Sequence, residues 1–162
     1  FENAFKEEFI EGNTNVIEFD QYSGSAYWRV FEYLYTGAYS DGFTVMITLL
    51  EDPALLKDLR VYTLADMFFS EGLKKLALKR FQQEVEEHWR SDESPECIRE
   101  VYSSTHERAA AVRAAVVEVA ARNVQELGRK EIFQDLIRKG GDFAVDYVER
   151  LGRRSNDIWF GR

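Results

Sequence analysis

Histidine and cysteine, the side chains that most often act as bases, nucleophiles or zinc ligands, are scarce in this chain. His88 and His106 are the only histidines, and Cys97 is the only cysteine. The histidines do not form an HExxH-like pair, and no cysteine neighbours them at ligand spacing. A single cysteine also excludes an intrachain disulfide and a thiolate zinc cluster. We therefore expect structural or solvent-facing histidines and no bound metal.

Other signatures of enzymatic chemistry are also missing from the sequence. The glycine pair Gly140-Gly141 has no preceding strand and lacks the remaining glycines of a phosphate-binding loop. Serine and cysteine nucleophile signatures are absent, and the acidic residues are scattered along predicted helix surfaces. These patterns predict a protein that is not an enzyme and that uses no cofactor.

Composition limits both the architecture and the class of partner. The chain has 162 residues, of which 45% are hydrophobic and 14% aromatic, enough for one compact domain or a small domain with a helical annex. The formal net charge of -8 repels phosphate backbones, which argues against nucleic-acid binding. No apolar run is long enough for a membrane span, and one cysteine suits a reducing compartment. We expect an intracellular protein of the cytoplasm or nucleus that binds no membrane.

The first fifty residues give the only strand signal. Phe1, Phe5 and Phe9 form one apolar stripe of a short predicted helix, and residues 16–19 read as a short strand. A lone strand leaves its backbone donors and acceptors unpaired, so we expect this strand to pair either with residues upstream of Phe1 or with another chain. The sequence therefore predicts an α+β class that is predominantly helical.

The next predicted helix precedes a glycine and carries many aromatic residues. Ser25 is placed to cap it, and Gly37 is placed to end it. Its predicted apolar face consists of Trp28, Phe31, Tyr33, Leu34 and Tyr35.

Two further helices are predicted to form an antiparallel hairpin over residues 53–89. Asp52 is expected to cap the first helix by accepting from its free amides, with Pro53 at the first helical position. The second helix is expected to open at residues 70–72. The side chains expected to be buried between the two are Leu59, Tyr62, Leu73, Ala77 and Phe81.

The last third of the chain is predicted to be nearly all helix. One helix is expected over residues 107–127, a second is stopped at Gly140-Gly141, and a third ends near Leu151. Because these helices are amphipathic and short, we expect them to pack onto the preceding hairpin. Residues 153–162 are predicted to form a tail.

Three segments carry a series of recognisable motifs. They are FENAFKEEFIEGNTNVIEF at residues 1–19, RVFEYLYTGAY at residues 29–39, and the helix pair of residues 52–81. Within them lie YLYTGAY, Leu64-Ala65-Asp66 and Gly72-Leu73-Lys74. In order and spacing these motifs resemble the signatures of a BTB/POZ domain, most closely of its large fungal group. The family's first strands and first helix have no counterpart here. The resemblance implies a partial BTB/POZ fold at residues 1–90 and an all-α extension at residues 91–152.

The resemblance implies protein–protein interaction, in one of two forms. Cullin-binding members carry a hydrophobic-x-Glu triplet before the strand, and Phe9-Ile10-Glu11 occupies that place. This favours an adaptor that recruits a substrate protein to a cullin-based ubiquitin ligase. The alternative is a scaffold outside the ligase system that self-associates or assembles a larger complex. In many members the missing N-terminal part builds a homodimer. Phe9 could equally complete the stripe with Phe1 and Phe5, leaving Glu11 solvated.

Overall fold

The computed structural model describes residues 22–40, 52–105 and 109–160, with side chains up to residue 154. Within these ranges there is no strand, which confirms that this part of the chain is predominantly helical. The predicted strand at residues 16–19 lies outside the described residues. The eight helices of the described ranges are α1 (Gly24–Thr36), α2 (Ala54–Met67), α3 (Glu71–His88), α4 (Ser94–Ser104), α5 (Ala110–Arg122), α6 (Val124–Leu127), α7 (Glu131–Lys139) and α8 (Asp142–Phe160).

Helix α1 ends where the sequence predicted but begins with a different cap. The Ser23 side chain accepts a hydrogen bond from the Ala26 amide at 3.2 Å, whereas Ser25 is buried in the first turn. The predicted cap at Ser25 is therefore wrong by two residues. Gly37 has a φ of 78°, and its amide donates to the Tyr33 carbonyl. A left-handed backbone of this kind favours glycine, and it stops the helix as expected.

The predicted apolar face of α1 is only partly correct, since Phe31 and Tyr33 pack against the core and the other three residues do not. Trp28, Leu34 and Tyr35 are exposed, and Phe31 and Tyr33 are only half-buried. The buried side instead contains Arg29 and three smaller or partly polar residues, namely Ala26, Tyr27 and Val30. Arg29 can lie on the buried side because its guanidinium pairs there with the Asp52 carboxylate at 3.0 Å.

Helices α2 and α3 form the antiparallel hairpin that the sequence predicted. Lys57 near the start of α2 lies 3.9 Å from Glu84 near the end of α3, while Lys74 and Asp66 pair beside the connecting turn. All five residues predicted to be buried here are at most 5% exposed, namely Leu59, Tyr62, Leu73, Ala77 and Phe81. This part of the core prediction is confirmed.

The turn between α2 and α3 places an aromatic residue where glycine is usually found. The Phe69 amide donates to Asp66 and the Ser70 amide donates to Ala65, the bonding pattern of a Schellman helix end. Phe69 has a φ of 55° and is 91% exposed. A Cβ atom is strained in this backbone region, so Phe69 stores strain at the surface.

We expect Phe69→Gly to stabilise the folded chain by roughly 0.5–1 kcal/mol. Glycine relieves a left-handed backbone strain of about 1–2 kcal/mol. It also raises the entropy of the unfolded chain, which offsets part of this gain. Urea unfolding of the two proteins measures the difference. Phe69→Ala is the matched control, because it removes the exposed ring and keeps the Cβ atom. A gain with alanine equal to that with glycine would mean that the ring, and not the backbone, is the source of the cost.

The extension packs on the hairpin, as predicted. Helix α4 contacts α2, and α5 contacts α3. The side chains buried at these contacts belong to one continuous hydrophobic cluster that includes Phe81 of the hairpin and Val101 and Val116 of the extension. The core therefore continues across the predicted domain boundary at residue 90.

Two element ends in the extension differ from the prediction. The helix expected over residues 107–127 is divided into α5 and α6, and the side-chain amide of Asn123, which lies between them, donates to the Val119 carbonyl.

Gly140 and Gly141 end α7 as predicted, both with positive φ. Helix α8 then continues to Phe160, through most of the segment predicted as a tail. Its Phe143 and Tyr147 rings pack edge-on against Phe133 of α7.

Candidate partner-binding surface

The partner-binding residues predicted from the sequence are not among those that the structure describes. Phe9, Ile10 and Glu11 all precede residue 22. The assignment of this triplet to a cullin-type partner therefore stays a prediction.

One of the two histidines lies among the described residues. His88 is half-exposed at the end of α3, with its Nδ1 3.1 Å from the Glu84 carboxylate one turn earlier. This is a surface helix pair, in line with the expected solvent-facing histidine. His106 lies outside the described residues. Among residues 22–40, 52–105 and 109–160, no cluster of three or more histidine, cysteine, aspartate or glutamate side chains could hold a metal ion.

Cys97 is placed as a core residue. It is 2% exposed, and its thiol donates to the Leu55 carbonyl at 3.5 Å. Burial raises the pKa of Cys97 to about 12, with a further contribution from the nearby carboxylates of Glu100 and Glu93. Because the thiolate is the reactive form, this thiol is unsuited to nucleophilic chemistry.

We expect the Cys97 thiol to resist iodoacetamide at pH 8 in the folded protein, since its raised pKa keeps it protonated and its burial blocks access. Mass spectrometry of the alkylated chain follows the reaction. The same chain unfolded in guanidinium serves as the control and should react fully. Equal rates for the folded and unfolded chains would contradict the buried placement.

The YLYTGAY signature connects α1 to both helices of the hairpin. Tyr39, its last residue, is 2% exposed and donates its hydroxyl to Asp58 of α2 at 2.6 Å. The Arg80 guanidinium of α3 lies 4.2 Å from the centre of the Tyr39 ring. Two signature residues that are far apart in the sequence, Tyr33 and Gly72, also lie close together. A Cβ atom added to Gly72 would lie 2.5 Å from the Tyr33 hydroxyl. The signatures thus form one packed unit.

A chain of charged side chains joins α1, α2 and α4. Asp52 accepts hydrogen bonds from Arg29 at 3.0 Å and from Arg60 at 2.5 Å. Arg60 also donates to both carboxylate oxygens of Glu100, at 2.7 and 2.9 Å. The hydrogen bonds that Arg60 donates to Glu100 and Asp52 raise its pKa above the ordinary value. Four charges therefore alternate in sign across three elements.

This charged chain corrects the prediction for the start of α2. Asp52 does not cap the helix, and Pro53 occupies the cap position, because α2 begins at Ala54. The Asp52 carboxylate is fully buried in ion pairs instead. Sequence reasoning missed the network, since its members lie 8 to 40 residues apart. The one available signal was Arg29, an arginine inside an otherwise apolar helix face.

Apolar side chains are exposed on α1 and on the turn between α2 and α3. Tyr35 is 90% exposed and Phe69 is 91% exposed. Trp28, Leu34 and Met67 are each between 42% and 52% exposed. Exposed aromatic residues are enriched where proteins contact one another, so these elements carry side chains suited to a protein interface.

A groove of about 930 Å³ lies between α5 and α8. Alanines of α5, including Ala110 and Ala114, line it together with charged side chains from both helices. Arg113 lies 3.3 Å from Asp142 of α8, and its guanidinium also stacks over the Tyr102 ring. Tyr102 donates to Asp146 at 2.6 Å, and burial together with this carboxylate raises the pKa of Tyr102. The charged groups of the groove are thus largely paired with one another.

Comparisons of the chain with protein-family models, with curated proteins and with solved structures found no match. The likeness to BTB/POZ domains therefore rests on the signature residues themselves. No helix in the described part of the chain is both long and apolar enough to cross a membrane.

Proposed function

We propose that this chain is a protein-interaction module of the BTB/POZ type, acting as an adaptor that brings substrate proteins to a cullin-based ubiquitin ligase. The observation that carries the proposal is the placement of Tyr39. The last residue of the signature is buried against Asp58 and Arg80, so the signature helix and the closing hairpin form one packed unit. The motifs that follow one another in the family's order are thus also in contact with one another in the folded chain.

The chemistry of the described residues favours recognition over catalysis. The buried ionisable groups of the Asp52 network neutralise one another, and the Cys97 thiol is protonated at physiological pH. Exposed aromatic residues at the surface, by contrast, supply the contacts that protein partners use. A chain of net charge -8 also suits protein partners better than nucleic acid.

In the proposed complex, two parts of the chain have separate roles. Phe9 enters an apolar pocket on a cullin helix, and Glu11 accepts hydrogen bonds at the rim of that contact. An aromatic anchor beside a charged rim residue is a common form of a small hot spot. The helical extension, which is packed on the hairpin through α4 and α5, presents the surface for the substrate protein. Such a ligase adaptor works in the cytoplasm or nucleus.

We expect Phe9→Ala to weaken binding to the cullin N-terminal region by about 2 kcal/mol, roughly 30-fold, because it removes the anchor. Glu11→Ala should weaken binding less, and its effect should shrink as salt is raised, since rim charges are screened. Binding assays with the purified full-length protein at low and high salt provide both values.

The matched control is Ile132→Ala, which removes a half-exposed apolar side chain from α7 of the extension. It should leave the cullin affinity unchanged. Circular dichroism of each variant must show an intact fold, because a Phe9 packed inside against Phe5 would make Phe9→Ala unfold its segment. Loss of binding only through unfolding, or equal loss in the Ile132 control, would overturn the assignment of Phe9 as the anchor.

A further inference from the structure

We draw no further inference here: the strongest candidate, the exposed apolar surface on the outer side of α1 and on the turn between α2 and α3, carries none because nothing in the described residues shows what covers it.

Discussion

Asp52→Ala is expected to destabilise the fold by about 3–5 kcal/mol, the usual cost of removing one partner from a buried ion pair. The Asp52 carboxylate is fully buried, and the Arg29 side chain that it neutralises is only 3% exposed. Without the carboxylate, the Arg29 guanidinium stays in the core with its charge uncompensated by Asp52. Urea unfolding, monitored by circular dichroism, gives the change in free energy. The loss should be nearly independent of salt, because buried pairs are poorly screened.

Two companion variants separate the buried charge from general effects. Asp135→Ala breaks the exposed pair with Arg138 of α7 and should cost less than about 1 kcal/mol. Arg29→Met in the Asp52→Ala background removes the buried guanidinium and should recover part of the loss. If Asp52→Ala cost no more than Asp135→Ala, the network would be only a surface feature.

Leu73→Ala is expected to cost about 2–5 kcal/mol, as truncations of buried leucines do. Leu73 is fully buried in the first turns of α3, and it belongs to the core that joins the hairpin to α1 and the extension. Alanine removes apolar contacts and leaves a cavity that close-packed neighbours fill only in part.

Leu34→Ala is the control for the same chemical change at a site that is half exposed. It should cost much less, because little apolar area is taken out of the core. Equilibrium urea unfolding compares the two variants under one set of conditions. A change below about 0.5 kcal/mol for Leu73→Ala would mean that Leu73 is not a core residue.

The hairpin was predictable because local signals and periodicity agree there. The residues of α2 and α3 with helical spacing, such as Leu59, Leu73 and Phe81, are the ones that are buried. Glycine also marks helix ends reliably, as at Gly37 and Gly140, because few other residues accept a left-handed backbone. These features depend on neighbours within a few turns, which the sequence displays directly.

The features that escaped prediction depend on distant partners. Arg29 is buried because Asp52, 23 residues away, neutralises it, so apolar residues alone indicated only part of the buried face of α1. The same ion pairs withdraw Asp52 from the capping role that its position suggested. Tyr39 similarly depends on Asp58 and Arg80 for its burial. Local patterns carry no information on such pairings, which only the packed helices bring together.

For the candidate site, what the sequence can predict depends on whether a second protein is involved. A catalytic or metal-binding signature is a pattern of residue types within one chain, whereas the value of Phe9-Ile10-Glu11 depends on a second protein. No periodicity within one chain distinguishes an anchor that enters a partner's pocket from a ring that completes an internal stripe. The resemblance supplied that hypothesis, and only binding to the partner can test it.

Isothermal titration of the full-length, folded protein with the cullin N-terminal region tests the adaptor function most directly. We predict one saturable binding event with a dissociation constant no weaker than the order of tens of micromolar, about 6 to 7 kcal/mol of binding free energy. Thermal unfolding of the same sample establishes that the protein is folded. Absence of heat at those concentrations, from a protein that unfolds cooperatively, would contradict the adaptor function and leave a BTB-type scaffold outside the ligase system.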